Sequence, residues 1–374
     1  MRTEVTINTN MITWAIARAG YELQDFVVRF PRIQDWLENK KKPTVKQLET
    51  FSKKVYLPFG YLFLPEPPEE NLPIPFFRTN NVLTTSVSIN VYDTILLMQQ
   101  RQDWLREYLK DNEFQPLPFV GKFRNRQNYA EIVADIRQTL GLHHEWASAF
   151  ITWQDALEHL TQKIEEVGII VVFNGVVENN NKRPIKVDEC RGFVLVDEMV
   201  PFMFINAADG KAAQLFTIVH ELAHIWTGHS AGFDFRQLLP ANDPIELLCD
   251  KVAAEFLVPE SSFNRVWKER QDIKSAARYF KVSEIVIARR ALDLGKLSKR
   301  EFFAFYEEYS NHELKKNKSS GGDFYATTKK RLSLTFAAHV NQAVKTGKLL
   351  YRDAYKLTGL RGETFQNFFS KYFL

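Results

Sequence analysis

The chain has 374 residues, of which 45% are hydrophobic and 25% charged, and its net charge is +4. That length supports two or three domains, each with its own core, and the composition is that of a globular protein rather than a disordered or fibrous one. A mild positive charge with no long basic block makes no strong case for nucleic acid by itself.

The two cysteines, Cys190 and Cys249, lie far apart and in no metal-ligand spacing. This argues against a disulfide scaffold and for a reducing cytoplasm. Cys249 has apolar neighbours and reads as a small buried residue rather than a nucleophile. The segment Met1-Arg2-Thr3-Glu4-Val5-Thr6 lacks the apolar core of a signal peptide. No apolar run reaches membrane-spanning length, so a cytoplasmic protein without membrane contact is expected.

Residues 1–65 read as a compact helical unit of the helix-turn-helix type. Its amphipathic stretches (Met11 to Ala19, Leu23 to Arg29, Gln34 to Leu37, Val45 to Val55) are separated by Gly20, Pro31 and Lys40-Lys41-Lys42-Pro43-Thr44. Residues 66–84 form a proline-rich linker that sustains neither helix nor central strand. A third segment, 85–265, opens with helices at Val91 to Leu109, Tyr129 to Leu140 and Trp153 to Val167. Three strands follow, at Gly168 to Phe173, Gly192 to Val196 and Pro201 to Asn206. Residues 266–312 read as a second helix-turn-helix-like module with Ser283 as N-cap, 313–322 as a flexible joint, and 323–374 as a C-terminal helical segment. The expected fold class is α+β: mostly helical, with a small zincin-like three-stranded sheet and a metal-binding helix pair behind an all-α helix-turn-helix domain.

The chemistry concentrates in Phe216-Thr217-Ile218-Val219-His220-Glu221-Leu222-Ala223-His224, an H-E-x-x-H motif in an apolar helical run opening near Asp209-Gly210. Residues four apart share a helix face, so His220 and His224 can hold one metal ion while Glu221 reaches its water. Catalytic zinc wants a third protein ligand. A second predicted helix, Ile245 to Val258-Pro259, offers Glu246 as that ligand and Asp250, one turn on, as the acceptor that orients a ligand histidine. This is the E-x-x-x-D arrangement of gluzincin-type peptidases. Glu221 is then the general base on zinc-bound water. An oxyanion donor is also expected; His229 is one candidate that nothing in the sequence singles out. Glu255, between Ala254 and Phe256, reads as a packing or solvent residue.

At these residues the chain resembles the ImmA/IrrE family of metallopeptidases, whose signature couples F-T-x-x-H-E-L-x-H to a later E-x-x-A-N-x-F-A-A-x-L-x-x-P-like helix. Cys249 and Asp250 stand where Ala and Asn are frequent. Pro58-Phe59-Gly60-Tyr61-Leu62-Phe63-Leu64 with the proline-rich connector resembles members that carry an N-terminal XRE-type helix-turn-helix. Arg191-Gly192-Phe193 and Val286 to Leu292 are similar as well. The resemblance implies zinc at His220, His224 and Glu246, Glu221 as catalytic base, and a cytoplasmic helix-turn-helix repressor as protein substrate.

Two segments are candidates for DNA contact. In the first, Phe30 to Trp36 shortens the turn and the helix that would read a groove, which favours protein docking. In the second, Arg289 and Arg290 come late in their helix, where base-reading residues are uncommon, and a packing module is the plainer reading. The expectation is a zinc metalloendopeptidase acting on a regulatory protein. The alternative is a DNA-binding transcriptional regulator or toxin–antitoxin component in which cleavage is incidental, and a metal-free relic is opposed by the intact ligand set.

Overall fold

The computed structural model describes residues 3–70, 76–77, 88–126, 128–233, 243–270, 272–312 and 323–373. The chain divides into two compact units, one of Met1–Pro73 with Thr85–Asp93, the other of Ile74–Thr84 with Thr94–Leu374. No described helix is long and apolar enough to cross a membrane.

The first unit is built on α1 (Thr9–Arg18), α2 (Leu23–Arg29), α3 (Arg32–Leu37) and α4 (Val45–Lys54), followed by a 3-10 turn at Phe59–Phe63. Asn8 starts α1 by accepting the Asn10 N–H, and Thr44 with Gln47 forms a reciprocal capping box on α4. Met11, Ile12, Ala15 and Ile16 recur at helical spacing and are buried. A core of Ile12, Ile16, Phe26, Ile33, Trp36, Leu48 and Phe51 results, with Phe26 and Trp36 each edge-on to Phe51. The expected helices are all present, and α3 begins just after Pro31.

The second unit adds, in chain order, β1 (Phe76–Phe77), α5 (Ile89–Asp111) from Thr94 onward, α6 (Tyr129–Leu140), α7 (Trp153–Glu166), β2 (Ile170–Asn174), β3 (Val176–Val177), β4 (Asn180–Pro184), β5 (Gly192–Leu195), β6 (Phe202–Asn206) and α8 (Lys211–Thr227). Then come β7 (Ala231–Phe233), α9 (Pro244–Leu257), α10 (Glu260–Arg270), α11 (Ile273–Phe280), α12 (Glu284–Asp293), α13 (Lys299–His312), α14 (Phe324–Leu332), α15 (Leu334–Lys345), α16 (Tyr351–Thr358) and α17 (Gly362–Phe373). The fold is α+β and mostly helical, as expected. The joint expected at 313–322 lies outside the described residues, as does most of the linker.

The three expected strands are β2, β5 and β6, and two short strands extend them into a sheet of order β1-β7-β5-β6-β2. β2 runs parallel to β6, while β5 is antiparallel to both β6 and β7. Every residue of β2, β5 and β6 is buried, because helices cover both faces. Val171, Phe173, Val194, Met203 and Ile205 join the core around α8. Opposite them, Phe193 stacks on its register partner Phe204, and Phe202 meets Phe336 of α15.

Candidate metal centre

α8 is buried from Leu215 onward almost without interruption, with only Phe216 partly exposed. A helix apolar all round is an interior helix, and this one packs on β5 and β6 and against α9. It ends at Gly228, whose left-handed φ of +75° lets its N–H close on the His224 and Ile225 carbonyls. A side chain at Gly228 would be strained, so the stop is encoded in that residue.

α9 brings the remaining carboxylates. Asp243 caps it by accepting the N–H groups of Ile245 (2.8 Å) and Glu246 (3.2 Å), with Pro244 at the first helical position. Glu246 therefore sits in the first turn and faces α8. The far end of α9 is held by two buried arginines. Arg137 of α6 donates to the Phe256 carbonyl, and Arg290 of α12 donates to the Val258 carbonyl (3.1 Å) and pairs with Glu255. Cations at a helix C-terminus complement its dipole.

His220, His224 and Glu246 are all buried and converge. The separations His220 Nε2 to His224 Nε2, His220 Nε2 to Glu246 Oε2 and His224 Nε2 to Glu246 Oε1 are 3.2 Å each. Four-coordinate zinc at ordinary bond lengths of about 2.0–2.1 Å sets its ligand atoms roughly 3.3–3.4 Å apart. Asp250 Oδ1 lies 3.0 Å from His220 Nδ1. When that nitrogen donates to Asp250, Nε2 is left with its lone pair toward the cluster. Lone pairs facing one another inside a protein demand a cation between them, and the donor set fits a dication.

The electrostatics agree. Burial alone would lower the His220 pKa, but the Asp250 and Glu246 carboxylates outweigh it and hold it up at about 10 in the metal-free protein. Burial likewise pushes Glu246 up, yet its bonds to His220 and His224 hold it well below the usual carboxylate range. His224 is lowered, by burial first, against the pull of Glu246. The same negative surroundings that keep a proton on His220 favour a metal ion in its place.

Glu221 is fully buried, and neither carboxylate oxygen has a hydrogen-bond partner among the described residues. Burial, with a smaller contribution from Glu246, raises its pKa to about 8, against the opposing influence of His220. Gly192 of β5 lies beside it, and its lack of a side chain makes room for Thr217 of α8 and the Phe204 carbonyl of β6. A Cβ there would lie 2.6 Å from Thr217 Cγ2, 2.9 Å from the Phe204 carbonyl oxygen and 3.5 Å from Glu221 Oε1. This steric role is not legible in Arg191-Gly192-Phe193 itself, because it depends on the helix and the neighbouring strand.

Several other residues take definite places. His229 is half-buried; its N–H bonds the His224 carbonyl (3.1 Å), and its buried Nδ1 has no partner among the described residues. Cys249 is buried and its thiol is pushed up, chiefly by burial, which suits a packing residue. Ser283 occupies the N-cap position of α12 without a side-chain bond to the helix. Arg289 pairs with Asp293, and Glu255 is bound by Arg290.

Among curated proteins, none matches this chain. Residues 332–371 match a domain family of unknown function, DUF8813. Residues 164–292, which contain β2, β5, β6, α8 and α9 and so the whole ligand cluster, match the IrrE N-terminal-like domain, a metallopeptidase family of the ImmA/IrrE type.

Proposed function

We propose that the protein is a zinc-dependent endopeptidase that hydrolyses a peptide bond in a cytoplasmic regulatory protein, a helix-turn-helix repressor being the substrate class implied by family resemblance. The observation that carries this reading is a buried, unpartnered Glu221 carboxylate beside the converging triad His220, His224 and Glu246. Such a carboxylate costs stability and persists where catalysis uses it.

His220, His224 and Glu246 would hold the zinc, and Asp250 would fix the His220 ring through Nδ1. Zinc, when bound, supplies Lewis acidity toward the scissile carbonyl and acidifies a coordinated water. Glu221 accepts the proton of the attacking water on a carboxylate oxygen and passes it to the leaving amide nitrogen. Burial of Glu221 keeps bulk water from competing for that proton. The N-terminal helical unit serves to dock the substrate protein: α3 is only six residues long, and Lys41 is engaged by Asp35 at 2.9 Å.

The test pairs metal analysis with substrate fate. Wild type is expected to hold one zinc and to cleave a co-expressed repressor, and Glu221→Gln to hold zinc without cleaving. Equal relief of repression by both proteins, with zinc retained, would refute the peptidase.

A further inference from the structure

β5 approaches Glu221 through Gly192. One of its neighbours, β6, is fixed by four register pairs and the Phe193–Phe204 stack. The other edge is filled by the chain itself: β7 pairs antiparallel to β5, and β1 pairs parallel to β7. The register forms one row, with Phe77 opposite Phe233 and Phe233 opposite Gly192. At about 5 Å per strand, β1 lies only two strand spacings from the strand that backs the catalytic carboxylate.

The two added strands are not equally secure. β7 follows α8 after Gly228-His229-Ser230, and Ser230 Oγ accepts the Val196 N–H at 2.8 Å, which continues its attachment to the β5 side. β1 is held by two register pairs, Phe76 with Gly232 and Phe77 with Phe233, and it comes from the proline-rich connector. A strand so short is the one an incoming chain can replace.

An endopeptidase must hold its substrate extended, and an extended chain is most simply held by adding it to a sheet edge. The geometry points to β1 as a self-inhibitory strand: the connector at Phe76–Phe77 occupies the sheet edge on the Gly192 side, and an extended substrate segment binds by displacing it. The inference rests on the peptidase reading for the identity of the competitor. It predicts that the full-length protein rests partly blocked and that substrates are unfolded or extended segments, recognised through their backbone. Loss of one ordinary strand hydrogen bond corresponds to a change in occupancy of up to roughly tenfold.

The experiment uses full-length, zinc-loaded protein and fluorescein-labelled β-casein, an unstructured chain, as the probe. Phe77→Pro removes the backbone N–H at the strand, and Phe77→Ala keeps it. Each is made alone and with Glu221→Gln, so that binding is read without cleavage. Hydrogen exchange at 231–233 reports the strand pairing. The expected result is lost protection at 231–233, about tenfold tighter casein binding in the Glu221→Gln background and about tenfold faster cleavage for Phe77→Pro, with Phe77→Ala like its parent. Unchanged protection, unchanged affinity or no casein binding by either protein overturns the proposal. Absence of cleavage by wild type would sink the peptidase reading instead, and the binding comparison would still decide the role of the strand.

Discussion

Replacing Glu221 by Gln separates what this residue costs the fold from what it contributes to the chemistry. Its carboxyl is fully buried, and burial raises its pKa from 4.5 to about 8 in the metal-free protein. A raised carboxyl pKa means that the folded state holds a proton the unfolded chain has released. The associated stability is fully present below pH 4.5 and disappears as pH rises toward 8. Each pH unit across that interval is worth up to about 1.4 kcal/mol, so the charged carboxylate costs on the order of 3 kcal/mol at pH 7 and up to about 5 kcal/mol above pH 8. Glutamine has nearly the same shape and no charge to bury. In chelator-treated protein, urea unfolding should therefore find Glu221→Gln more stable than wild type by a few kcal/mol at pH 8, with the gap closing toward pH 4.5. Zinc loading should shrink the gap, because a nearby dication favours the carboxylate. Activity should fall by about 10²–10⁴ at unchanged zinc content. A stability difference that is absent or flat from pH 5 to 8 would refute the burial argument; activity within tenfold of wild type would refute the general-base role.

Asp250→Asn should weaken zinc binding by about 10–100-fold in chelator competition, since it disturbs the hydrogen bond that orients His220 while leaving the ligands in place. Zinc binding to the metal-free protein at pH 7 should release between one and two protons, one from His220, held protonated with a pKa of about 10, and up to one more from Glu221, whose carboxyl is held up at about 8; calorimetry in buffers of different ionisation enthalpy measures it, and affinity should climb as pH rises. Gly192→Ala places a Cβ 2.6 Å from Thr217 Cγ2 and 2.9 Å from a backbone oxygen, so it should cost about 1–3 kcal/mol and lower Tm, with loss of activity. Arg290→Ala removes the partner of Glu255 and the donor to the Val258 carbonyl; about 2–4 kcal/mol of destabilisation is expected, discounted for partial exposure of Glu255. A fully stable Arg290→Ala would mean that the side chain is free for another partner.

The local signals were strong where one stretch of chain carries its own periodicity. The apolar run around His220-Glu221-Leu222-Ala223-His224 can only be an interior helix, and motif spacing puts both imidazoles on one face of it. Glu246 and Asp250 are four apart before a helix-ending Val258-Pro259, and α9 presents them as that spacing requires. The β-branched run of β2 and the aromatic strands β5 and β6 were equally legible.

What the sequence left open depends on distant partners. Ala231–Phe233 and Phe76–Phe77 carry no strand periodicity, because two or three residues are too few to show it, and they join the sheet through pairings some 40 to 155 residues away. The need for glycine at 192 comes from Thr217 on α8 and the Phe204 carbonyl on the neighbouring strand. Arg290 looks like a solvent or phosphate-binding residue on an amphipathic helix, and the carbonyls at the end of α9 give it another role. Side-chain spacing along a helix or strand is written in the local sequence; which surfaces meet, and which edge a strand occupies, is settled by packing over the whole chain.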